Sequence, residues 1–338
     1  TSPFFLLVLR MFAASRSRGQ QWENGMFKRL GFIGAGKQAR EHARAAQALG
    51  AEVILTAVTS KTSENIEGFP SKDGFLYNNN SANGWELLLK ESDLDAIIVC
   101  APWNVIPKMM PELMACDLPM LIEKPVFLDD VIDISWSNKY VAMNRRFYGS
   151  VAELKKQITG HEIVSVEAVW SDATEDLEIR HKGITPYLME MYSIHMIDLL
   201  YYLFGEMEIE YKQNYSHWGS FDAVLSPNQQ HLKTFPIHLS ITQNNPQKSG
   251  ITIRTRHGGC IMLSPLEELN VYRRMEIIES GGFRRYQPQY SMRRYESPGG
   301  LKPGIRDQME AFLKQDTKKL ATIGDAIYIH NLINELRY

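Results

Sequence analysis

LGFIGAGKQA, Leu30 to Ala39, is the stretch whose reading decides the fold. Lys28 to Ile33 is a short apolar-rich run suited to a buried parallel strand, and Lys37 to Leu49 has the alanine-rich composition of a helix packed close to a sheet. Between them, Gly34 permits a tight turn, Gly36 lets backbone amides approach a pyrophosphate at the helix N-terminus, and Ala39 is small where helix meets strand. Lys37 and Gln38 open that helix. An isolated glycine pattern of this kind also occurs in ordinary turns; the strand before it and the helix after it make it the expected mark of a dinucleotide-binding βαβ unit.

Glu52 to Val58 reads as the second strand, and sites that favour NAD place an acidic residue at its end for the ribose 2′-hydroxyl. This strand ends instead in Thr59-Ser60-Lys61. No carboxylate is present to repel a 2′-phosphate, and Ser60 and Lys61 could bind one, so NADP(H) is the expected preference with NAD(H) as the alternative. Taken by itself, Lys61 is equally an ordinary solvated loop lysine.

Outward from this unit, short apolar strands alternate with helices: Phe75 to Tyr77, Trp85 to Lys90, Ala96 to Cys100, Pro107 to Cys116, Met120 to Ile122 and Tyr140 to Met143. That alternation predicts a doubly wound parallel α/β sheet of the Rossmann type, with ligands at the strand C-termini. From about Arg146 the pattern changes. Helices are expected over Val151 to Ile158, Leu188 to Phe204, Pro303 to Lys314 and Ile323 to Leu336. Extended runs are expected over Ile163 to Trp170, Lys233 to Gln243, Gly250 to Arg256, Cys260 to Leu263 and Asn270 to Ile278. Grouped strands of this kind predict an α+β domain with a large, mostly antiparallel open sheet. The expected organisation is therefore an N-terminal extension (1–25), a dinucleotide-binding domain (26–145) and a substrate-binding and oligomerisation domain (146–338).

The 338 residues are 44% hydrophobic and 22% charged, an ordinary globular composition. A net charge of −2 argues against nucleic acid as a partner. Three cysteines without metal-ligand spacing predict no metal site and fit a reducing compartment. Phe4 to Leu9 is too short to span a bilayer and lacks a preceding basic segment, so a cytoplasmic location without membrane attachment is expected.

Read together, GFIGAGKQA (31–39), AIIVCAPWN (96–104), LIEKPV (121–126), YVAMNRRF (140–147) and SIHMIDLLYYLFG (193–205) resemble the Gfo/Idh/MocA oxidoreductases. The resemblance runs from Met26 to the C-terminus. It implies that Lys124 and His195 are catalytic, with Lys124 near the nicotinamide and His195 as general acid/base. Asn144, beside Arg145 and Arg146, is implied to face the active-site cleft, Asp198 to orient His195 or anchor its helix, and Arg180 with His181 is expected in a loop that could close over the substrate, so Asn144, Arg146, Arg180 and Asp198 are the expected substrate-side residues. Ala101, Pro102, Asn104 and Glu123 are implied against the cofactor, and the bond before Pro125 is implied to be cis. Two positions depart from the family pattern. Met191 stands where polyol-oxidising members often carry Asp, with Glu190 one residue off register, and Ile106 stands where a histidine is frequent.

Arg273-Arg274, Arg284-Arg285 and Arg293-Arg294, interleaved with tyrosines, suit a phosphorylated or nucleotide-linked substrate, or else a solvated sheet face or a dimer contact. The expected function is an NAD(P)-dependent dehydrogenase or reductase. It would move hydride between nicotinamide and a secondary alcohol or ketone of a sugar, cyclitol or nucleotide sugar, in a homo-oligomer, dimer or tetramer, built through the second-domain sheet. The alternative is a non-catalytic dinucleotide sensor of the same fold, favoured by the missing carboxylate at Met191.

Overall fold

A computed structural model describes residues 25–62, 64–129, 131, 138–215, 220–228 and 235–338. Apart from Gly25, the expected N-terminal extension lies outside the described residues, as do the first two residues of the run expected from Lys233.

The first sheet contains β1 (Arg29–Ile33), β2 (Glu52–Val58), β3 (Phe75–Tyr77), β4 (Ala96–Val99), β5 (Met120–Ile122), β6 (Lys139–Val141) and β15 (Ala321–Thr322). Their order is β15-β6-β5-β4-β1-β2-β3, and every neighbouring pair is parallel except β15 with β6. Leu30, Phe32, Ala96, Ile97, Ile98 and Val99 are fully buried, because helices cover both faces. The helices are α1 (Lys37–Ala48), α2 (Gly84–Leu88) and α3 (Ile106–Ala115). Strand order reverses between β1 and β4, so a crevice for ligands opens beside the turn after β1.

The second sheet has the order β14-β13-β12-β11-β7-β10-β9-β8. Its strands are β7 (Ile163–Asp172), β8 (Met207–Asn214), β9 (Phe221–Pro227), β10 (Ile237–Gln243), β11 (Gly250–Thr255), β12 (Cys260–Leu263), β13 (Glu268–Ser280) and β14 (Phe283–Arg294). Only β7 and β10 run parallel. One face carries Val166, Ala168, Ile237, Leu239, Ile251 and Ile253, all buried beneath α4 (Gly149–Ile158) and α6 (Ile194–Phe204). The alternation that marked β7 as a strand is this one-sided burial.

Three local features differ from expectation. The helix expected over Leu188 to Phe204 begins with a π turn, Met189–Ser193. The segment after β7 forms a short helix, α5 (Thr174–Arg180), rather than an open loop. The domain division at residue 146 is also crossed near the C-terminus. α7 (Ile305–Leu313) buries Ile305, Met309 and Phe312 in the core of the first domain, Phe312 against Phe27 at 5.6 Å, and β15 then extends the first sheet. α8 (Ile323–Arg337) closes the chain, so the nucleotide-binding half is completed by residues far along the sequence.

Candidate active site

The turn after β1 has the shape that a dinucleotide requires. Gly34 has φ +94°, and a Cβ on it would lie 2.5 Å from the Cys100 carbonyl oxygen, so only glycine fits. A Cβ on Gly36 would meet nothing within 4 Å, and Gly36 caps α1 without a side-chain hydrogen bond. The first amides of α1 therefore face open space, as a pyrophosphate binder's must. Lys37 is exposed beside them. At the end of β2, Ser60 and Lys61 are exposed, the Ser60 hydroxyl 3.1 Å from that of Thr62 and the Lys61 ammonium 5.5 Å from the Tyr77 ring centre. Ala101, Pro102 and Asn104 follow β4, where the Pro102 carbonyl accepts from the amides of Val105 and Ile106 and starts α3. Trp103 between them packs with its ring tilted against that of Tyr187 of the second domain, the centres 5.4 Å apart.

β5 delivers Glu123 and Lys124 to the same crevice, and the Lys124–Pro125 bond is cis. Glu123 Oε1 accepts from the fully buried His42 of α1 at 2.9 Å. Burial works to raise the Glu123 carboxyl, but the His42 hydrogen bond and the charges of His42 and Lys124 outweigh it and hold it low. His42 had no sequence signal beyond its place on the inner face of a helix.

Lys124 donates to the Met191 carbonyl at the π turn and lies 4.9 Å from the Tyr192 ring centre. Burial lowers its pKa to about 8, Glu123 and Asp172 pulling it back up and Arg145 pushing it further down. Asp172, the last residue of β7, is buried and accepts from Trp170 Nε1 and Ser193 Oγ, each at 2.7 Å. Burial raises its pKa to about 6, against the pull of those hydrogen bonds, Lys124 and Arg145. The site therefore pairs a weakened ammonium with a weakened carboxylate, both titrating near neutrality.

His195, in the first turn of α6, is buried with its ring 6.5 Å from that of Trp170. Among the described residues its Nδ1 has no hydrogen-bond partner. Burial, then the charges of Arg145, Lys124 and Lys302, keep its pKa well below the usual imidazole value, so it is neutral at physiological pH. The Arg145 guanidinium sits 4.7 Å from the Trp170 ring centre, with a buried Nε unpartnered among the described residues.

Some expected substrate ligands are placed elsewhere. Arg146 is buried, its Nε and terminal nitrogens bonded to Asp198 (2.6 to 3.1 Å) and to Asp325 Oδ2 (3.0 Å), so it ties three elements together instead of facing the crevice. The reason lies in the turn Asn144–Phe147: successive residues of a 3-10 helix point about 120° apart, which sends Arg145 toward Trp170 and Arg146 into the core. Asp198 consequently anchors α6 to that turn and does not orient His195. Asn144 donates to the Pro303 carbonyl at 2.9 Å. Arg180 is exposed and paired with Asp176 along α5. Glu190 is buried and paired with Arg337 at 2.6 Å, which excludes it as a substitute carboxylate for Met191. Asp172 and Arg145 were missed in the sequence, Asp172 because SDATED reads as a polar turn and Arg145 because nothing in NRRF separates its two arginines.

Among the described residues no group of His, Cys, Asp and Glu could hold a metal ion, and no helix is long and apolar enough to cross a membrane. Residues 28–141 match the model of the Gfo/Idh/MocA oxidoreductase family, NAD-binding Rossmann fold. No curated protein sequence matches the chain. Among solved structures, a dehydrogenase (MviM) from Clostridium difficile superposes with TM-score 0.67 at 16% identity, over 91% of this chain and 98% of that one. Levoglucosan dehydrogenase in complex with NADH and levoglucosan gives 0.62 at 16% identity, over 92% and 97%. Apo scyllo-inositol dehydrogenase from Lactobacillus casei gives 0.62 at 13% identity, over 93% and 96%. At such identities these likenesses establish the common two-domain fold.

Proposed function

We propose that the protein is an NAD(P)-dependent dehydrogenase or reductase acting on a secondary alcohol or ketone of a sugar, cyclitol or nucleotide sugar. The observation that carries this reading is Lys124, an ammonium with a pKa near 8 at the C-terminal end of β5, coupled to Asp172. A bound nicotinamide supplies the hydride acceptor or donor. In the oxidising direction the neutral Lys124 amine takes the hydroxyl proton, and Asp172 stabilises the resulting ammonium. Neutral His195 and Arg145, whose Nε has no partner among the described residues, orient the substrate oxygens around Trp170. The sensor reading rested on the missing carboxylate at Met191; Asp172, reaching the site from the second sheet, supports the enzyme instead.

The test is a panel of polyols with NAD(P)+ and of keto-sugars with NAD(P)H, followed at the nicotinamide absorbance. Lys124→Ala should bind cofactor as the wild type does while turnover falls by about 10² or more. Turnover close to wild type would remove Lys124 from the mechanism, and no turnover anywhere in the panel would favour the sensor. Ser60 and Lys61 support NADPH over NADH, and Lys61→Asp should reverse the preference in fluorescence titrations.

A further inference from the structure

We propose that Lys302 is the counter-ion that the second domain supplies to the diphosphate of the bound dinucleotide. This rests on the dinucleotide-binding reading of the Gly34–Gly36 turn. The first turn of α1 has neither an acidic side chain nor a side-chain cap, and the space above Gly36 is open. Lys302 leans onto this end of the helix. Its Nζ donates to Gln38 Oε1 at 2.7 Å and its backbone amide donates to Glu41 Oε2 at 3.2 Å.

A helix N-terminus carries partial positive charge, so an ammonium held there, with Lys37 also in the first turn, is in an unfavourable field unless an anion lies between. Glu41 is not that anion: it lies beyond the first amides and divides its carboxylate between Arg44 at 3.2 Å and the Lys302 backbone. The charge of Lys302 also reaches the interior of the crevice, where both Lys124 and His195 respond to it. Diphosphate is the dinucleotide group that belongs at the amides of this turn, whereas a 2′-phosphate belongs at the end of β2 beside Ser60 and Lys61.

The position of Lys302 is set by its neighbours. Asn144 donates to the Pro303 carbonyl, and Gly304 has φ +75° with its Cβ direction 2.1 Å from the Asn144 carbonyl oxygen, so the backbone here is pressed against the start of the Asn144–Phe147 turn. Leu301 is buried in the core of the first domain. The segment 301–304 is therefore a strap crossing from the second domain, and a dinucleotide seated on α1 would be clasped from both sides.

The experiment compares full-length wild type, Lys302→Ala and Lys302→Arg. NADH affinity is read by fluorescence, ADP-ribose affinity by calorimetry, both at two salt concentrations, and unliganded thermal stability is measured alongside. Lys302→Ala should weaken NADH and ADP-ribose alike by about tenfold, with a shallower salt dependence and unchanged unliganded stability. Lys302→Arg should restore most of the affinity. Unchanged ADP-ribose affinity in Lys302→Ala would overturn the proposal, as would a loss that Lys302→Arg fails to repair. Wild-type protein that binds neither of these ligands nor NADPH would overturn the dinucleotide reading itself, before any variant is compared.

Discussion

Lys124 shows how little sequence distance separates a surface charge from a working one. An ammonium in water titrates above 10, and desolvation in the crevice brings this one to about 8. Because oxidation needs the neutral amine, kcat/KM in that direction should rise with pH and level off near 8. The Asp172 carboxylate holds the Lys124 pKa up, so Asp172→Asn removes a stabiliser of the ammonium and should move this limb to lower pH by about half a unit or more. A limb that stays in place in stopped-flow or steady-state profiles would separate Asp172 from Lys124. His195, neutral throughout this range, should contribute no limb of its own.

At the scale of elements, the π turn before α6 alters what an unbroken helix would have arranged. A continuous α-helix places Met191, His195 and Asp198 on one face, at i, i+4 and i+7. In the structure Met191 packs with Leu177, Ile184 and Leu188 and offers its carbonyl to Lys124, while Asp198 belongs to Arg146. The second arrangement depends on a buried ion pair, and buried ions are costly when left alone. Arg146→Ala should therefore destabilise the fold by about 3–5 kcal/mol, because Asp198 keeps its burial and loses its counter-charge. Urea denaturation monitors this directly, and a change under 1 kcal/mol would mean that water reaches the pair.

Across the whole molecule, the edge of the second sheet presents a further surface. β13 and β14 form a long ribbon, separated from β7 by β11 and β12. Their register places Tyr272 opposite Tyr290, Met275 opposite Pro288 and Ile277 opposite Tyr286 on one face, between the ion pairs Glu268–Arg294 and Glu279–Arg284. Met275, Ile277, Tyr286, Tyr290 and Met292 are exposed, and a two-stranded ribbon with an uncovered apolar face is marginal by itself. The arginine pairs that suggested nucleotide-linked substrates lie on this ribbon, which supports their use at an interface between copies of the chain. Met275→Glu with Tyr290→Glu should shift sedimentation toward the monomer while leaving the unfolding cooperative. An unchanged sedimentation coefficient would locate association elsewhere.

The sequence by itself determined the opening βαβ unit of the nucleotide-binding half, though not the α7 and β15 that complete that half, because strand, glycine turn and helix are contiguous there and each follows from local periodicity or a steric need at Gly34 and Gly36. It determined the place of Lys124 for the same reason, as the end of a short apolar strand. Ribbon strand β14 was not legible, since its residues are exposed on both faces and carry no alternation. Tertiary structure alone decided that Arg145 and not Arg146 turns to Trp170, that the charge of Asp172 on the second sheet acts on Lys124 of the first, and that residues near 302 return to the N-terminus of α1. Each of these depends on two segments far apart in the chain, and a pattern read along one segment holds no record of what packs against it.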